Sequence, residues 1–278
     1  MNGIKILGMG RSVPAQVVTN DDMARIVDTS DEWITSRTGI RSRHHCRGET
    51  HTQLCREAAQ RALERAGVRP EEIGACIVAT VTAQSLVPST ACLLQRDLGL
   101  PQDIPCFDLS AACTGFLFAL HTMECLLNAS SRPYGLVIGA EVLSRFSDFT
   151  DRSTCVLFGD GAGAAVITLD ENSRYAFDCG ADGNTEVLYC PKFYHNTNPF
   201  AASLPEQPEQ QVKMEGRAVY SFAVQALSGS IRRVADQVGG YPEHYICHQA
   251  NARILQAAAK QLKEPMEKFF LDIAKYGN

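Results

Sequence analysis

Several patterns that mark specialised classes of protein are missing from this sequence of 278 residues. No apolar run approaches the roughly 18 residues that span a bilayer, and the opening MNGIKILGMG lacks the three regions of a signal peptide. No block of like charges forms a tail, and the net charge of −5 argues against general nucleic-acid binding. The sequence therefore predicts a cytoplasmic globular protein that contacts neither membranes nor nucleic acids.

Disulfide patterns are also missing, although cysteine itself is abundant. The chain has 11 cysteines, which is an odd number. No two of them form a C-x-x-C pair, and several lie in apolar runs such as GACIVAT and IPCFDL. This usage is typical of buried, reduced thiols in a reducing compartment. A reactive cysteine must therefore be identified from its surroundings.

Two apparent ligand motifs lack the context that their ligands require. The segment HHCRGETHTQLC (44–55) matches no common zinc spacing, and Thr50 with Gln53 instead predicts a capped helix start. The segment GDGAGA (159–164) leads into the strand-like AAVITL, whereas a dinucleotide-binding loop opens a helix. We expect no metal ion at the first segment and a tight backbone turn at the second.

Two stretches of the chain share one layout, which indicates an internal duplication. Residues 55–80 and 221–251 each contain an amphipathic helix, a glycine, a Pro-Glu pair and an apolar strand. Each stretch continues into another helix and another strand. This alternation predicts an α/β protein with two sheets related by a pseudo-dyad.

The duplication divides the chain into an amino-terminal half, residues 1–170, and a carboxyl-terminal half, residues 171–278. On this alignment Asn278 occupies the strand end that matches that of Cys113. The first half continues well beyond Cys113, and the second half does not continue beyond Asn278. We therefore expect the second half to lack its closing strands.

Cys113 is the first candidate for chemistry. It lies in DLSAACTGFLFAL (108–120), between a predicted strand and a predicted helix, where the helix macrodipole favours the thiolate. A single cysteine considered without partners is more often an inert, buried residue than a catalytic one. His248 and Asn278 lie at related strand ends of the second copy, and sites in open α/β sheets form outside the carboxyl ends of strands. The spacing alone leaves a catalytic and a structural interpretation equally open.

The motifs of the whole chain resemble those of one family. They are DTSDEWI, RTGIR, AACTGF, TDRSTCVLFGDGAGAAV, HQANARI and the terminal YGN. With them the chain resembles β-ketoacyl-acyl carrier protein synthase III, a condensing enzyme of the thiolase superfamily. The resemblance covers essentially all residues and implies the thiolase-like duplicated five-layer αβαβα sandwich, with its second half incomplete.

The resemblance also implies the reaction and its residues. Cys113 matches the family's nucleophile, which accepts an acetyl or another short acyl group from coenzyme A. His248 and Asn278 match the pair that stabilises the enolate formed when malonyl-acyl carrier protein loses carbon dioxide. The product is a 3-oxoacyl-acyl carrier protein, which initiates type II fatty acid synthesis. No cofactor is implied, because coenzyme A arrives as a thioester substrate.

Five positions match the family's coenzyme A contacts. Trp33 and Arg152 match the residues that enclose the adenine, and Arg37 matches a residue near the phosphates. Gly216 and Asn251 match positions that hydrogen-bond the pantetheine arm. Because Trp33 is the only tryptophan and stands among charged residues, a stacking surface suits it better than core packing.

The resemblance further implies two interaction surfaces. Arg253 matches a contact for the acidic carrier protein, and Lys260 lies two helical turns further along the same face. Val87 stands where the family commonly has a phenylalanine that reaches across a homodimer interface to the partner's acyl pocket. The smaller side chain predicts acceptance of longer or branched primers.

The sequence excludes one alternative function and leaves two others open. A papain-type hydrolase also uses cysteine, histidine and asparagine, but it requires a cysteine near the amino terminus and has no strand duplication. A related condensing enzyme of secondary metabolism and a truncated inactive paralogue both stay open. The family's oxyanion hole uses a glycine-rich loop near its carboxyl terminus that we do not find, so we expect this chain alone to be a poor enzyme.

Overall fold

A five-stranded sheet forms the centre of the first half in the computed structural model, which describes residues 3–190 and 211–278. The strands of the protein are β1 (Gly3–Ser12), β2 (Gln16–Thr19), β3 (Ser42–His45), β4 (Ile73–Ala79), β5 (Cys106–Leu109), β6 (Tyr134–Val142), β7 (Asp160–Asp170), β8 (Leu188–Tyr189) and β9 (Lys213–Met214). The helices are α1 (Asn20–Ala24), α2 (Asp31–Thr38), α3 (His51–Ala66), α4 (Thr90–Leu98), α5 (Gly115–Asn128), α6 (Gly216–Val238), α7 (Ala252–Leu262) and α8 (Ile273–Tyr276). Within the described ranges, no helix is both long and apolar enough to cross a membrane.

The order of strands in the sheet is β1-β7-β6-β4-β5. Strands β4, β5 and β6 run parallel to one another, while β7 is antiparallel to both β6 and β1. All seven residues of β4 are buried, as its continuous apolar sequence IGACIVA requires for a strand covered on both faces. The parallel arrangement brings the carboxyl ends of β4, β5 and β6 to one edge of the sheet.

Helices cover both faces of this sheet. One face packs against α3 and α4, and the opposite face packs against α5. Helix α3 begins directly after Thr50, whose hydroxyl accepts a hydrogen bond from the Gln53 amide at 3.1 Å, so the predicted helix start is confirmed. The helix ends at Gly67, which has a φ of +64°.

The tight turn predicted for GDGAGA (159–164) is wrong. Strand β7 already begins at Asp160, and its Gly163 lies in register with both neighbours, pairing with Arg11 on one side and Gly139 on the other. Small residues suit this part of the strand because β7 lies between two strands and beneath α3.

The second half repeats the element order of the first, as the duplication predicts. Helix α6 leads to an apolar segment around Tyr245, and α7 leads to a second apolar segment around Phe269. These two segments form a single parallel bridge, Tyr245 to Phe269, whereas the matching segments of the first half form the longer pairing of β4 with β5. Within residues 211–278 the second half therefore contains three helices, α6, α7 and α8, the short strand β9 and one bridge in place of a five-stranded sheet.

Candidate active site

Cys113 lies at the edge of the sheet where the parallel strands end. It belongs to a 3₁₀ turn, Ala112–Thr114, between the end of β5 and the start of α5, and the residue is exposed. Ala112 has a φ of +44°, which is unusual for a residue with a side chain, and such strain is concentrated at functional sites. At Gly115 an added Cβ would lie 3.2 Å from the Cβ of Ala79, so the helix starts close against the end of β4.

The electrostatics of Cys113 differ from the sequence-based expectation. Desolvation raises the pKa of its thiol, the carboxylate of Glu141 raises it further, and the backbone amide of Cys113 only partly opposes them. The helix macrodipole does not dominate, since α5 proper begins two residues later at Gly115. In the free protein, therefore, Cys113 favours the neutral thiol at pH 7 rather than the thiolate.

Glu141 is a neighbour of this site that the sequence analysis missed. Its carboxylate accepts hydrogen bonds from the Val81 amide at 2.9 Å and from the hydroxyls of Thr82 and Thr80 at 2.6 and 3.4 Å. Burial raises the pKa of Glu141, and these donors oppose that shift. The carboxylate thus joins the ends of β4 and β6. An acidic residue inside the apolar run LVIGAEVL was the available signal.

We expect Glu141→Gln to make Cys113 more acidic. The amide retains an acceptor for the strand ends but removes the negative charge that raises the pKa of the thiol. The pH midpoint of iodoacetamide alkylation at Cys113, followed by peptide mass analysis, should move to lower pH. Glu171→Gln, which removes an exposed carboxylate after β7, is the control and should leave the midpoint in place. An unchanged midpoint in Glu141→Gln would contradict the prediction.

His248 lies in the loop between the Tyr245 segment and α7. The residue is exposed to solvent, yet desolvation by the surrounding protein lowers the pKa of its imidazole. The next residue anchors the loop, because the Gln249 amide donates to the carbonyls of Cys247 and Phe270, both at 3.0 Å. The imidazole is therefore held in its neutral form on a fixed loop.

Asn278 is held in place by backbone contacts with the first half. Its amide donates to the Leu157 carbonyl at 2.9 Å, and its carbonyl accepts from the Gly159 amide at 2.8 Å. Gly277 has a φ of +69°, and an added Cβ there would lie 2.9 Å from the Leu157 carbonyl oxygen. Helix α8 separates Asn278 from the Phe269 segment, so the prediction that Asn278 occupies a strand end is wrong.

The three predicted catalytic residues share one property. In the described part of the chain, no side-chain hydrogen bond is made by Cys113, His248 or Asn278. His248 lies three residues after the first bridge residue, Tyr245, whereas helix α8 stands between the second, Phe269, and Asn278. Among the described residues, no hydrogen bond joins His248 or Asn278 to Cys113. Their bonding capacity is therefore available to a bound molecule.

Three of the residues predicted to bind coenzyme A lie together. The guanidinium carbons of Arg37 and Arg152 lie 4.7 and 5.1 Å from the centre of the Trp33 ring. Asp28, which the sequence analysis did not identify, holds Arg152 there through its carbonyl at 2.9 Å and its carboxylate at 3.4 Å. The result is a half-buried aromatic ring flanked by two cations, an arrangement suited to a negatively charged, planar ligand.

The other two predicted coenzyme A residues differ in their surroundings. Asn251 caps α7 by accepting from the Arg253 amide at 2.9 Å, and its amide group donates to the Arg37 carbonyl at 3.0 Å. Its side chain therefore already links α7 to α2. Gly216 begins α6, and no atom lies within 4 Å of the position that a Cβ would take. The backbone at Gly216 is open to a ligand.

The residues predicted to contact macromolecules lie on the surface. Arg253 is exposed in the first turn of α7, where its guanidinium carbon is 5.9 Å from the Tyr220 ring centre, and Lys260 is exposed two turns later. Val87 is 87% exposed and Leu86 is 68% exposed. Within one chain, Val87 therefore forms no part of a closed pocket.

Comparison with known proteins places this arrangement in context. Residues 107–183 match the family description 3-oxoacyl-[acyl-carrier-protein (ACP)] synthase III, and residues 242–278 match its C-terminal part. The β-ketoacyl-[acyl-carrier-protein] synthase III of Clostridium acetobutylicum is 44% identical over 283 residues, covering all of this chain and 86% of that protein.

Two solved structures are similar over nearly the whole chain. The 3-oxoacyl-[acyl-carrier-protein] synthase III of Aquifex aeolicus has a TM-score of 0.85 and 41% identity, with 99% of this chain and 86% of that chain covered. The priming β-ketosynthase of the R1128 polyketide biosynthetic pathway also has a TM-score of 0.85, at 30% identity, with 100% and 84% covered. The thiolase-like fold predicted from the sequence is confirmed by these similarities.

Proposed function

Because this chain belongs to the 3-oxoacyl-[acyl-carrier-protein] synthase III family, we propose that it joins a short acyl-CoA to malonyl-acyl carrier protein and so initiates fatty acid synthesis. The observation that carries the proposal is an exposed cysteine, Cys113, at the carboxyl end of a parallel strand in a chain of this family. The reaction needs no cofactor, since coenzyme A enters as part of the substrate and leaves as a free thiol.

The first step is transfer of the acyl group to Cys113. The sulfur attacks the thioester carbonyl, a new carbon–sulfur bond forms, and coenzyme A leaves with the proton that the thiol gives up. Because desolvation raises the pKa of Cys113, the thiol still carries this proton when the thioester binds and gives it up during the transfer. We propose that Trp33, Arg37 and Arg152 hold the nucleotide end of coenzyme A during the transfer.

The second step is decarboxylation of the malonyl group. The electrons of the broken carbon–carbon bond form an enolate, whose oxygen needs hydrogen-bond donors. A neutral His248 supplies a ring N–H, and Asn278 supplies its amide group. The enolate carbon then attacks the acyl carbonyl on Cys113, and the cysteine sulfur leaves. The carboxylate provides the electrons, so no general base is needed.

The direct test combines purified protein, acetyl-CoA and malonyl-acyl carrier protein. Mass analysis of the carrier protein should show the acetoacetyl group, with release of one carbon dioxide per turnover. Formation of free malonate or acetate without a condensed product would contradict the proposal. The same assay separates an active enzyme from an inactive paralogue.

We propose that the protein acts as a homodimer in the cytoplasm. Strand β5 lies at one edge of the sheet, where no strand of the described residues pairs with its outer side, and exposed edge strands are sites of pairing with another chain. The apolar side chains near this edge are exposed, with Leu86, Val87 and Leu117 at 68%, 87% and 59%. Pairing of two copies through this edge would bury them and carry Val87 towards the partner's acyl site. Each copy would retain the two halves, 1–170 and 171–278.

Primer choice is expected to follow from Val87. A valine in place of a phenylalanine leaves room for several methylenes, each contributing about 0.8 kcal/mol when buried. Rates with isobutyryl-CoA and hexanoyl-CoA should therefore approach the rate with acetyl-CoA. Val87→Phe should reduce the rates with these two longer primers and leave the rate with acetyl-CoA unchanged. A strict preference for acetyl-CoA in the unaltered protein would show the prediction to be wrong.

Docking of the acidic carrier protein is expected to depend on Arg253. Arg253→Glu should raise KM for malonyl-acyl carrier protein by about tenfold, which corresponds to about 1.4 kcal/mol, with a smaller effect at higher salt. Acyl transfer from acetyl-CoA to Cys113 should not change. Arg56→Glu makes the same charge change on the exposed side of α3 and serves as the control. Equal effects of the two variants would contradict the prediction.

A priming role in polyketide synthesis is the second candidate function. It is favoured by the 30% identity with the R1128 priming β-ketosynthase, although identity is higher with the Aquifex aeolicus fatty acid enzyme. The two functions differ in the carrier protein that supplies the malonyl group. Competition between carrier proteins of the two pathways in one assay would distinguish them.

A further inference from the structure

Helix α5 carries a second group of chemically reactive side chains, beyond the turn that holds Cys113. His121, Glu124 and Cys125 follow one another at positions i, i+3 and i+4, so they lie on one side of the helix. A ring nitrogen, a carboxylate oxygen and the sulfur all lie within 4.8 Å of one another. The proposed condensation reaction uses none of these three residues.

The imidazole of His121 is held in position by the segment that follows β7. Its Nδ1 lies 3.0 Å from the hydroxyl oxygen of Tyr175. The ring of Phe177 stacks on it with a centre-to-centre distance of 4.0 Å and an interplanar angle of 10°. These contacts restrict the ring orientation in the way that outer partners of metal-binding histidines do.

Glu124 is a buried carboxylate without a matching positive charge. Only 2% of the residue is exposed. One oxygen accepts from the Asn128 amide at 2.8 Å, and the other lies 3.6 Å from the sulfur of Cys125. Among the described residues no lysine or arginine forms an ion pair with it. Burying such a charge is costly unless a cation compensates it.

We propose that His121, Glu124 and Cys125 form a site for one transition-metal ion of the zinc type. One nitrogen, one oxygen and one sulfur donor are the ligand set that Zn²⁺ accepts, and Mg²⁺ or Ca²⁺ disfavours sulfur. Water fills the fourth position. Cys125 is exposed and provides the entry route, and its thiol releases a proton as the metal–sulfur bond forms.

The site has a structural consequence that is independent of condensation. A metal on α5 fixes His121, and His121 contacts the segment that contains Tyr175 and Phe177. Metal binding should therefore raise the thermal midpoint of the protein, because a ligand that binds only the folded state stabilises it.

The test is titration of the metal-free, reduced protein with Zn²⁺ and with Co²⁺ as a spectroscopic substitute. We expect one equivalent to bind, a thiolate-to-cobalt charge-transfer absorption, and a raised thermal midpoint with Zn²⁺ but not with Mg²⁺. Cys125→Ser and His121→Ala should each weaken binding by more than about 100-fold, and Tyr175→Phe by about tenfold.

Cys92→Ser is the matched control, because it removes an exposed cysteine from α4 and should leave metal binding unchanged. Circular dichroism of each variant establishes that it is folded before titration. The proposal is overturned if the unaltered protein binds no metal, or if Cys125→Ser and His121→Ala retain full affinity and metal binds at other cysteines. Neither result bears on the condensation reaction, which is measured separately.

Discussion

Cys113→Ser is expected to reduce acyl transfer from acetyl-CoA by about 1000-fold or more, which is the scale seen when a nucleophile is removed. A serine hydroxyl is a much weaker nucleophile than a thiolate, and no described basic side chain bonds to this position to activate it. Intact-protein mass analysis after incubation with acetyl-CoA should show no acetyl group on the variant. Cys92→Ser, on a different helix, should acquire one acetyl group as the unaltered protein does.

The same variant should retain part of the decarboxylation of malonyl-acyl carrier protein. In the proposed mechanism His248 and Asn278 stabilise the enolate, and no described hydrogen bond joins either of them to Cys113. Release of labelled carbon dioxide without a condensed product is the expected readout. Rapid acetylation of the Cys113→Ser variant, or complete loss of decarboxylation while it stays folded, would disprove this division between the two steps.

His248→Ala and Asn278→Asp are each expected to reduce decarboxylation and condensation by about 100- to 1000-fold, as loss of one oxyanion donor does. Alanine removes the ring N–H, and the aspartate keeps the shape of asparagine but replaces the donor with a negative charge. Acetylation of Cys113 should continue at a normal rate in both variants. Measurement of the acetyl-enzyme and of carbon dioxide release in the same sample separates the two steps.

The pH dependence gives a further check on His248. Desolvation lowers the pKa of this imidazole below its usual value of 6.5, so the neutral ring persists to lower pH than in a peptide. The midpoint of the acid-side decline in decarboxylation by the unaltered protein should therefore lie below pH 6.5, where the ring acquires a proton. A midpoint above pH 6.5 would contradict a lowered pKa of His248.

Several features of the molecule could be predicted from short stretches of the chain. The start of α3 after Thr50 follows from a cap that acts over three residues, and the burial of β4 follows from seven consecutive small or apolar residues. The position of Cys113 between a strand and a helix could likewise be predicted from DLSAACTGFLFAL. Each of these patterns involves residues that are close together in sequence, so it can be recognised without the folded structure.

Charge states and long-range contacts required the folded chain. The thiol of Cys113 has a raised pKa because packing removes water and brings Glu141 near, although these residues stand far apart in sequence. Desolvation depends on every atom around a group, and no local pattern records it. For the same reason, an argument from the macrodipole of α5 alone gave the wrong direction for the pKa shift of Cys113.

The sequence by itself determined which residue types were available and the alternation of helices with apolar segments in both halves. Only the tertiary structure decided that the tail at Asn278 bonds to Leu157 and Gly159, and that Asp28 holds Arg152 beside Trp33. It also decided that β7 is a strand along GDGAGA, since two neighbours pair with it. Strand pairing, burial and contacts between charged groups are properties of the packed chain. They depend on residues that are far apart in sequence and come together only when the chain folds.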